Sequence, residues 1–189
     1  MTIAAARSWS SPILNTLWRD LEAARTALQD EVRDLTDAQL SFALIRGRWS
    51  IGEILDHLCL SERSITRAVS RLLQQAAGRG QIGEPGHCAP PSTEIDLAVY
   101  ARPAAAPESA RPSPDRPLER LLVGLDESRL RFEEVTRRAD GMVVGPVTLP
   151  HFQLGDLNFY QWLAVESAHE TKHLAEIRRI KSDPHFPQG

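Results

Sequence analysis

Four stretches of this chain repeat apolar residues at helical spacing, and no sustained alternation of period two appears anywhere. That restricts the fold to helices packed on helices. In the first stretch, about Pro12 to Asp34, one stripe holds Leu14, Leu17, Leu21, Ala24, Leu28 and Leu35, while Arg19, Glu22, Arg25 and Asp30 fill the other faces. Pro12 suits a first helical turn, where a missing N–H breaks no bond. Thr36-Asp37-Ala38-Gln39-Leu40 reads as a short capped turn. The second helix starts at Ile51 behind Ser50, an N-cap whose capping box Glu53 completes, and runs to about Ala76. The third spans about Leu118 to Ala139, with Leu118, Leu121, Leu122, Leu125, Phe132 and Val135 inward. The fourth spans about Leu157 to Lys181, with Trp162, Val165, His169, His173, Ile177 and Ile180 inward. Val143 to Leu149 is at most a short extended piece. The expected fold is an all-α four-helix bundle, one domain over residues 1–189.

Between the second and third helices lies an irregular connection of residues 78–117. It holds eight of the thirteen prolines and four of the eleven glycines, which break helical hydrogen bonding and loosen the chain. A connection this long can let consecutive helices of a bundle run parallel. Its Ala-Pro-rich part, Ala101 to Pro114, reads either as plain linker or as a lid. His87 and Cys88 fall here, one adjacent pair without the spacing of a zinc site.

The chemistry concentrates in the fourth helix. His169-Glu170-Thr171-Lys172-His173 places two imidazoles four residues apart, one turn apart on one face. The literal H-E-x-x-H pattern is that of zinc peptidases, which need a third ligand downstream. The metzincin positions hold Glu176 and Arg179 instead. Only sixteen residues follow His173, and they end in loop chemistry. The third ligand lies upstream: His57, beside Ile54 and Ser61 on the edge of the second helix's stripe. Three histidines buried separately would each need a polar partner, whereas one shared ion satisfies all of them.

The segments Trp49-Ser50-Ile51-Gly52-Glu53-Ile54-Leu55-Asp56-His57-Leu58, His151-Phe152-Gln153-Leu154-Gly155-Asp156-Leu157 with Gln161-Trp162-Leu163, and His169-Glu170-Thr171-Lys172-His173-Leu174-Ala175-Glu176-Ile177 together resemble the DinB-like (DinB/YfiT) family. Order, spacing and the Trp-Ser opening all match, from about Pro12 to Lys181. The resemblance implies a four-helix bundle with a divalent metal held by one histidine of the second helix and two of the last, here His57, His169 and His173. It also implies a small-molecule substrate, since some relatives are transferases or isomerases that use a low-molecular-weight thiol.

Three neutral nitrogens leave an ion's double charge intact, so it acidifies bound water or thiol. The expectation is a metal-dependent transferase or hydrolase using zinc, nickel or iron. The alternative is a metal-binding bundle without catalysis, in a stress-response or structural role. Glu170 is the catalytic candidate: it could hold a metal-bound water or orient a histidine, or equally form a salt bridge on the solvent side. Glu166 and Glu53 lie within one turn of a ligand, His151 opens the segment before the last helix, and His185 sits in the tail. A net charge of −3 gives no footprint for nucleic acid. No run approaches the ~20 apolar residues of a membrane span, and no secretory signal opens the chain, so the expected address is the cytoplasm. Two cysteines, Cys59 and Cys88, make no disulfide framework. A homodimer is left open.

Overall fold

In chain order the elements are α1 (Pro12–Val32), α2 (Asp37–Leu40), α3 (Ile51–Gly78), α4 (Leu97–Tyr100), a single 3-10 turn (Glu108–Ala110), α5 (Leu118–Arg137), β1 (Thr148–His151), β2 (Gly155–Asn158) and α6 (Phe159–Lys181). The structure, a computed structural model, describes residues 9–80, 92–100, 102, 104–140 and 142–188. His87 and Cys88 lie outside the described residues. Among the described residues, no helix is long and apolar enough to cross a membrane.

Local chemistry sets the helix starts. Pro12 opens α1. Thr36 with Gln39 and Ser50 with Glu53 form reciprocal capping boxes at α2 and α3, each satisfying N–H groups that the first helical turn leaves unpaired. The last helix starts later than its periodicity predicts. Gly155–Asn158 is a strand, paired antiparallel with β1 so that Leu149 faces Leu157 and His151 faces Gly155. Gly155 takes a φ of +72°, which favours glycine. Asn158 then caps α6 by accepting from the N–H groups of Tyr160 and Gln161. The short extended piece expected at Val143–Leu149 is thus displaced towards the C-terminus, where it gains a partner strand.

The directions of the long helices follow from who meets whom. Cys59 bonds to Gly124 and Glu62 to Ser128, so numbers rise together along α3 and α5. Arg25 meets Glu170 and Glu31 meets Lys181, so α1 and α6 also run parallel. The two pairs oppose one another, since His57 on α3 meets His169 on α6 while Ile65 packs with Trp162. The 78–117 connection therefore carries the chain back to the end where α3 began, as a long crossover in a bundle allows.

The core is divided. One apolar cluster joins Leu14, Leu17, Leu21, Ile65, Val69, Leu72, Phe132, Phe159 and Trp162; the other joins Leu28, Val32, Ile51, Ile54, Leu58, Leu125, Leu174 and Ile177. At the level between them sit Arg25, Glu62, Arg129, Glu166 and Glu170, all buried. Arg25 was expected on an outer face of α1, and only its 4% exposure reveals that it points inward.

Candidate metal centre

His57 projects from the second turn of α3, and His169 and His173 from successive turns of α6. Their Nε2 atoms converge. His169 Nε2 lies 3.1 Å from His57 Nε2 and 3.1 Å from His173 Nε2. Two of the rings have their other nitrogen engaged. His57 Nδ1 donates to the Ala110 carbonyl at 2.7 Å, and His173 Nδ1 donates to Glu176 Oε2 at 3.0 Å. With the proton on Nδ1, each of these rings turns a bare lone pair towards the common point. Trp49 packs against His57, ring centroids 4.6 Å apart, and helps fix its plane.

Burial keeps His57 and His169 neutral. Burial pushes the His57 imidazole down to about 4, and the neighbouring His173 adds to that. Burial, then His173 and His57, drive His169 well below the ordinary value. Where no proton lies between two such nitrogens, their lone pairs repel one another. A cation at their centre converts that repulsion into coordination. Metal–nitrogen bonds of about 2.0–2.1 Å separate two ligand nitrogens by roughly 2.9–3.4 Å between octahedral and tetrahedral angles. The spacing found here fits that range.

The three rings line a cleft of about 300 Å³. Ile65, Trp162 and Val165 give it an apolar floor, the hairpin contributes His151 and Phe152, and residues 104–110 form a wall across α3. His151 is buried, stacks edge-on to Trp162 at 5.2 Å, and is held below its usual protonation range by that burial. So the hairpin histidine does border the cleft. His185 is exposed in the tail, beside Asp183.

The nearby acids do something else. Glu170 is wholly buried and turns to the bundle interior, accepting from Arg25 Nε at 2.8 Å. Its second oxygen lies 3.0 Å from Arg129 Nη2, a contact whose N–H direction does not complete a hydrogen bond. The sequence left open a metal-bound water or a solvent-side salt bridge for Glu170; its partners are guanidinium groups in the core. Glu62 accepts from Arg25 Nη2 at 3.0 Å and Arg129 Nε at 2.6 Å, and also from the Ser128 hydroxyl. Burial would pull both guanidinium groups down, but Glu62 and Glu170 more than offset it and hold them charged. Glu166 completes the group, with no hydrogen-bond partner on either oxygen. Burial, reinforced by Glu62 and Glu170, raises it well above the carboxylate range, so it keeps its proton. Glu53 is occupied in its capping box. Cys59 faces α5 with its thiol on the Gly124 carbonyl at 3.3 Å, away from the histidines.

Sequence reasoning missed Arg25, Glu62 and Arg129, although a signal existed. Each falls in phase with its helix's apolar stripe: Arg25 between Leu21 and Leu28, Glu62 between Leu58 and Ile65, Arg129 between Leu125 and Phe132. It also missed the Ala110 carbonyl, which carries no sequence signal.

The model of the DinB superfamily matches residues 20–177. The chain belongs to the DinB superfamily. A solved structure similar to it is that of TT2238, described as a four-helix bundle protein, with 25% identity and a TM-score of 0.60. That match covers 87% of this chain and 98% of the other. No curated protein matches the chain. Membership of the DinB superfamily and the three-histidine group are compatible with a metal-binding protein.

Proposed function

We propose that this DinB-superfamily bundle is a metal-dependent enzyme, with His57, His169 and His173 holding one divalent ion and a small molecule entering the cleft beside it. The reading is carried by one observation: three Nε2 atoms at 3.1 Å contacts, two of them with Nδ1 tied back to an acceptor. Such partners orient ligands and raise their basicity in metal sites. The ion, when bound, would supply a Lewis acid that lowers the pKa of a thiol or water nucleophile. The chain's own contribution is orientation and exclusion of water. The strap of residues 104–110 and the Phe152 hairpin enclose the cleft, and the apolar floor of Ile65, Trp162 and Val165 takes the substrate's carbon body. A low-molecular-weight thiol is one candidate for that substrate; zinc, nickel and iron are the candidate ions.

A non-catalytic metal-binding bundle is the second reading. Structural zinc sites are closed by four protein ligands, whereas three ligands beside a cleft leave a position for substrate, and this favours the enzyme. Glu170 has no part in it, being held by Arg25 and Arg129. The test is elemental analysis of the purified protein, followed by a thermal-shift screen of the metal-loaded form with small thiols. About one divalent ion per chain is expected, falling to background in His169→Ala. Full occupancy in that variant would sink the assignment.

A further inference from the structure

The peptide that crosses α3 is tied to two adjacent residues, about 100° apart around the helix. At one, His57 Nδ1 donates to the carbonyl of Ala110, itself 4% exposed. At the other, Asp56 is 1% exposed and accepts from the Ser113 N–H at 2.8 Å and from the Arg116 guanidinium. Only two residues separate Ala110 from Ser113, so the position of the carbonyl follows from the Asp56 anchor. We propose that Asp56 is a positioning residue of the histidine site: by clamping Ser113 and Arg116 it holds the Ala110 carbonyl on His57 and so fixes which nitrogen of that ring faces the ion.

The physical argument is a chain of short links. A neutral imidazole carries one N–H, and the hydrogen bond made by one nitrogen decides which tautomer is present. With Ala110 in place the proton sits on Nδ1, and Nε2, 3.5 Å from the Ser61 hydroxyl, presents its lone pair to the common point. Without it the ring has no fixed acceptor, its protonated nitrogen can become Nε2, and each ligation must first turn it back. Asp56 cannot touch the ion. It faces the residues between the strap and α5, in a recess lined by Arg63, Arg116 and Arg120, and is committed there to two donors. Burying a carboxylate at a helix surface is costly unless it is paired, and this pairing is made with Ser113 and Arg116, which directly follow the residues that wall the cleft. One continuous segment therefore serves both tasks, ordering a ligand and closing the substrate space.

The inference rests on the three-histidine reading of the site, so its test has one arm that needs no metal. In the metal-free, ¹⁵N-labelled full chain, long-range imidazole correlations report the tautomer of each histidine. His57 is expected as the Nδ1–H form in the wild type, and as a mixture or the Nε2–H form in Asp56→Ala. The second arm measures zinc affinity against a chromophoric chelator, well below the melting temperature. Asp56→Ala is expected to weaken zinc by roughly 10–100-fold, as outer partners of metal ligands do, with unchanged helical circular dichroism. Asp56→Asn keeps an acceptor for Ser113 and should recover part of the loss. If Asp56→Ala does not fold, Arg116→Ala, at a half-exposed side chain, carries both arms with a smaller effect in the same direction. An unchanged His57 tautomer in the folded variant overturns the inference, as does wild-type zinc affinity. A wild-type chain that takes none of zinc, nickel and iron overturns the metal reading instead, and the tautomer arm still decides the strap.

Discussion

A single buried carboxyl group, Glu166, shows how one residue sets the pH behaviour of the molecule. It is packed beside Glu62 and Glu170, with one more carboxyl than guanidinium in the layer. Its folded-state pKa is raised, so the folded chain keeps a proton that the unfolded chain releases above the ordinary value of 4.5. Between those two pKa values the native state binds more protons, and stability falls as pH rises. Glu166→Gln removes that dependence. Its melting temperature relative to wild type should therefore improve as pH rises above the ordinary carboxyl value of 4.5. Subtracting the wild-type curve cancels the histidines, which both proteins share. A difference that stays flat with pH would show that Glu166 ionises alike in both states. The guanidinium groups beside it are expected to behave oppositely. Arg25→Met leaves Glu62 and Glu170 with Arg129 as their one remaining guanidinium, and breaking a buried pair in this way costs about 3–5 kcal/mol. Chemical denaturation would measure it, and a loss under 1 kcal/mol, the range of an exposed pair, would contradict the buried geometry.

At the scale of elements, helix ends matter because they aim the ligands. Asn158 turns the hairpin into α6 and has three jobs: its side chain accepts from two N–H groups of the first turn, its own N–H donates to the Gln161 side chain, and its amide donates to the Ser92 carbonyl at 3.0 Å. Asn158→Ala should cost about 1–2 kcal/mol, at the upper end for a lost N-cap. Ser50→Ala removes a cap with fewer contacts and should cost about 1 kcal/mol. Denaturant midpoints of the two variants at equal slope would show the ordering. The Pro-rich connection changes standing at this scale too. Composition alone allowed it to be linker, yet its described second half lies on α3 through Ala110, Ser113 and Arg116 and walls the cleft. Periodicity is silent about such a segment, because irregular chain is held by individual backbone hydrogen bonds rather than by a repeating face.

For the molecule as a whole, metal binding and folding should be linked. The native state presents three preorganised nitrogens that the unfolded chain scatters. An ion at a thousand times its dissociation constant adds about 4 kcal/mol, which for a domain of this size raises the melting temperature by roughly 8–16 °C. Calorimetry with and without chelator would read the shift, and His169→Ala should abolish it. The metal-loaded protein should leave casein and peptide substrates uncut, since the glutamate of the H-E-x-x-H sequence is bound to Arg25 and turned to the core. Chelator-sensitive proteolysis lost in Glu170→Gln would overturn that expectation.

The amino-acid sequence determined what local spacing can carry. A stripe repeats within four residues, so the four long helices, the Ser50 capping box and the common face of His169 and His173 were legible from the chain, while the Asn158 cap was not. The motif set that places His57 with them was legible as a resemblance. Only the tertiary structure decided which faces meet. The parallel course of α3 and α5, the charged layer dividing the core, the cleft walls and the Ala110 carbonyl on His57 all join residues tens of positions apart. A charge in phase with an apolar stripe is unfavourable by itself, and becomes stable only when another helix delivers the opposite charge at the same level. Glu170 is the clearest case: its neighbours in sequence are ligand chemistry, and its neighbours in space are two arginines.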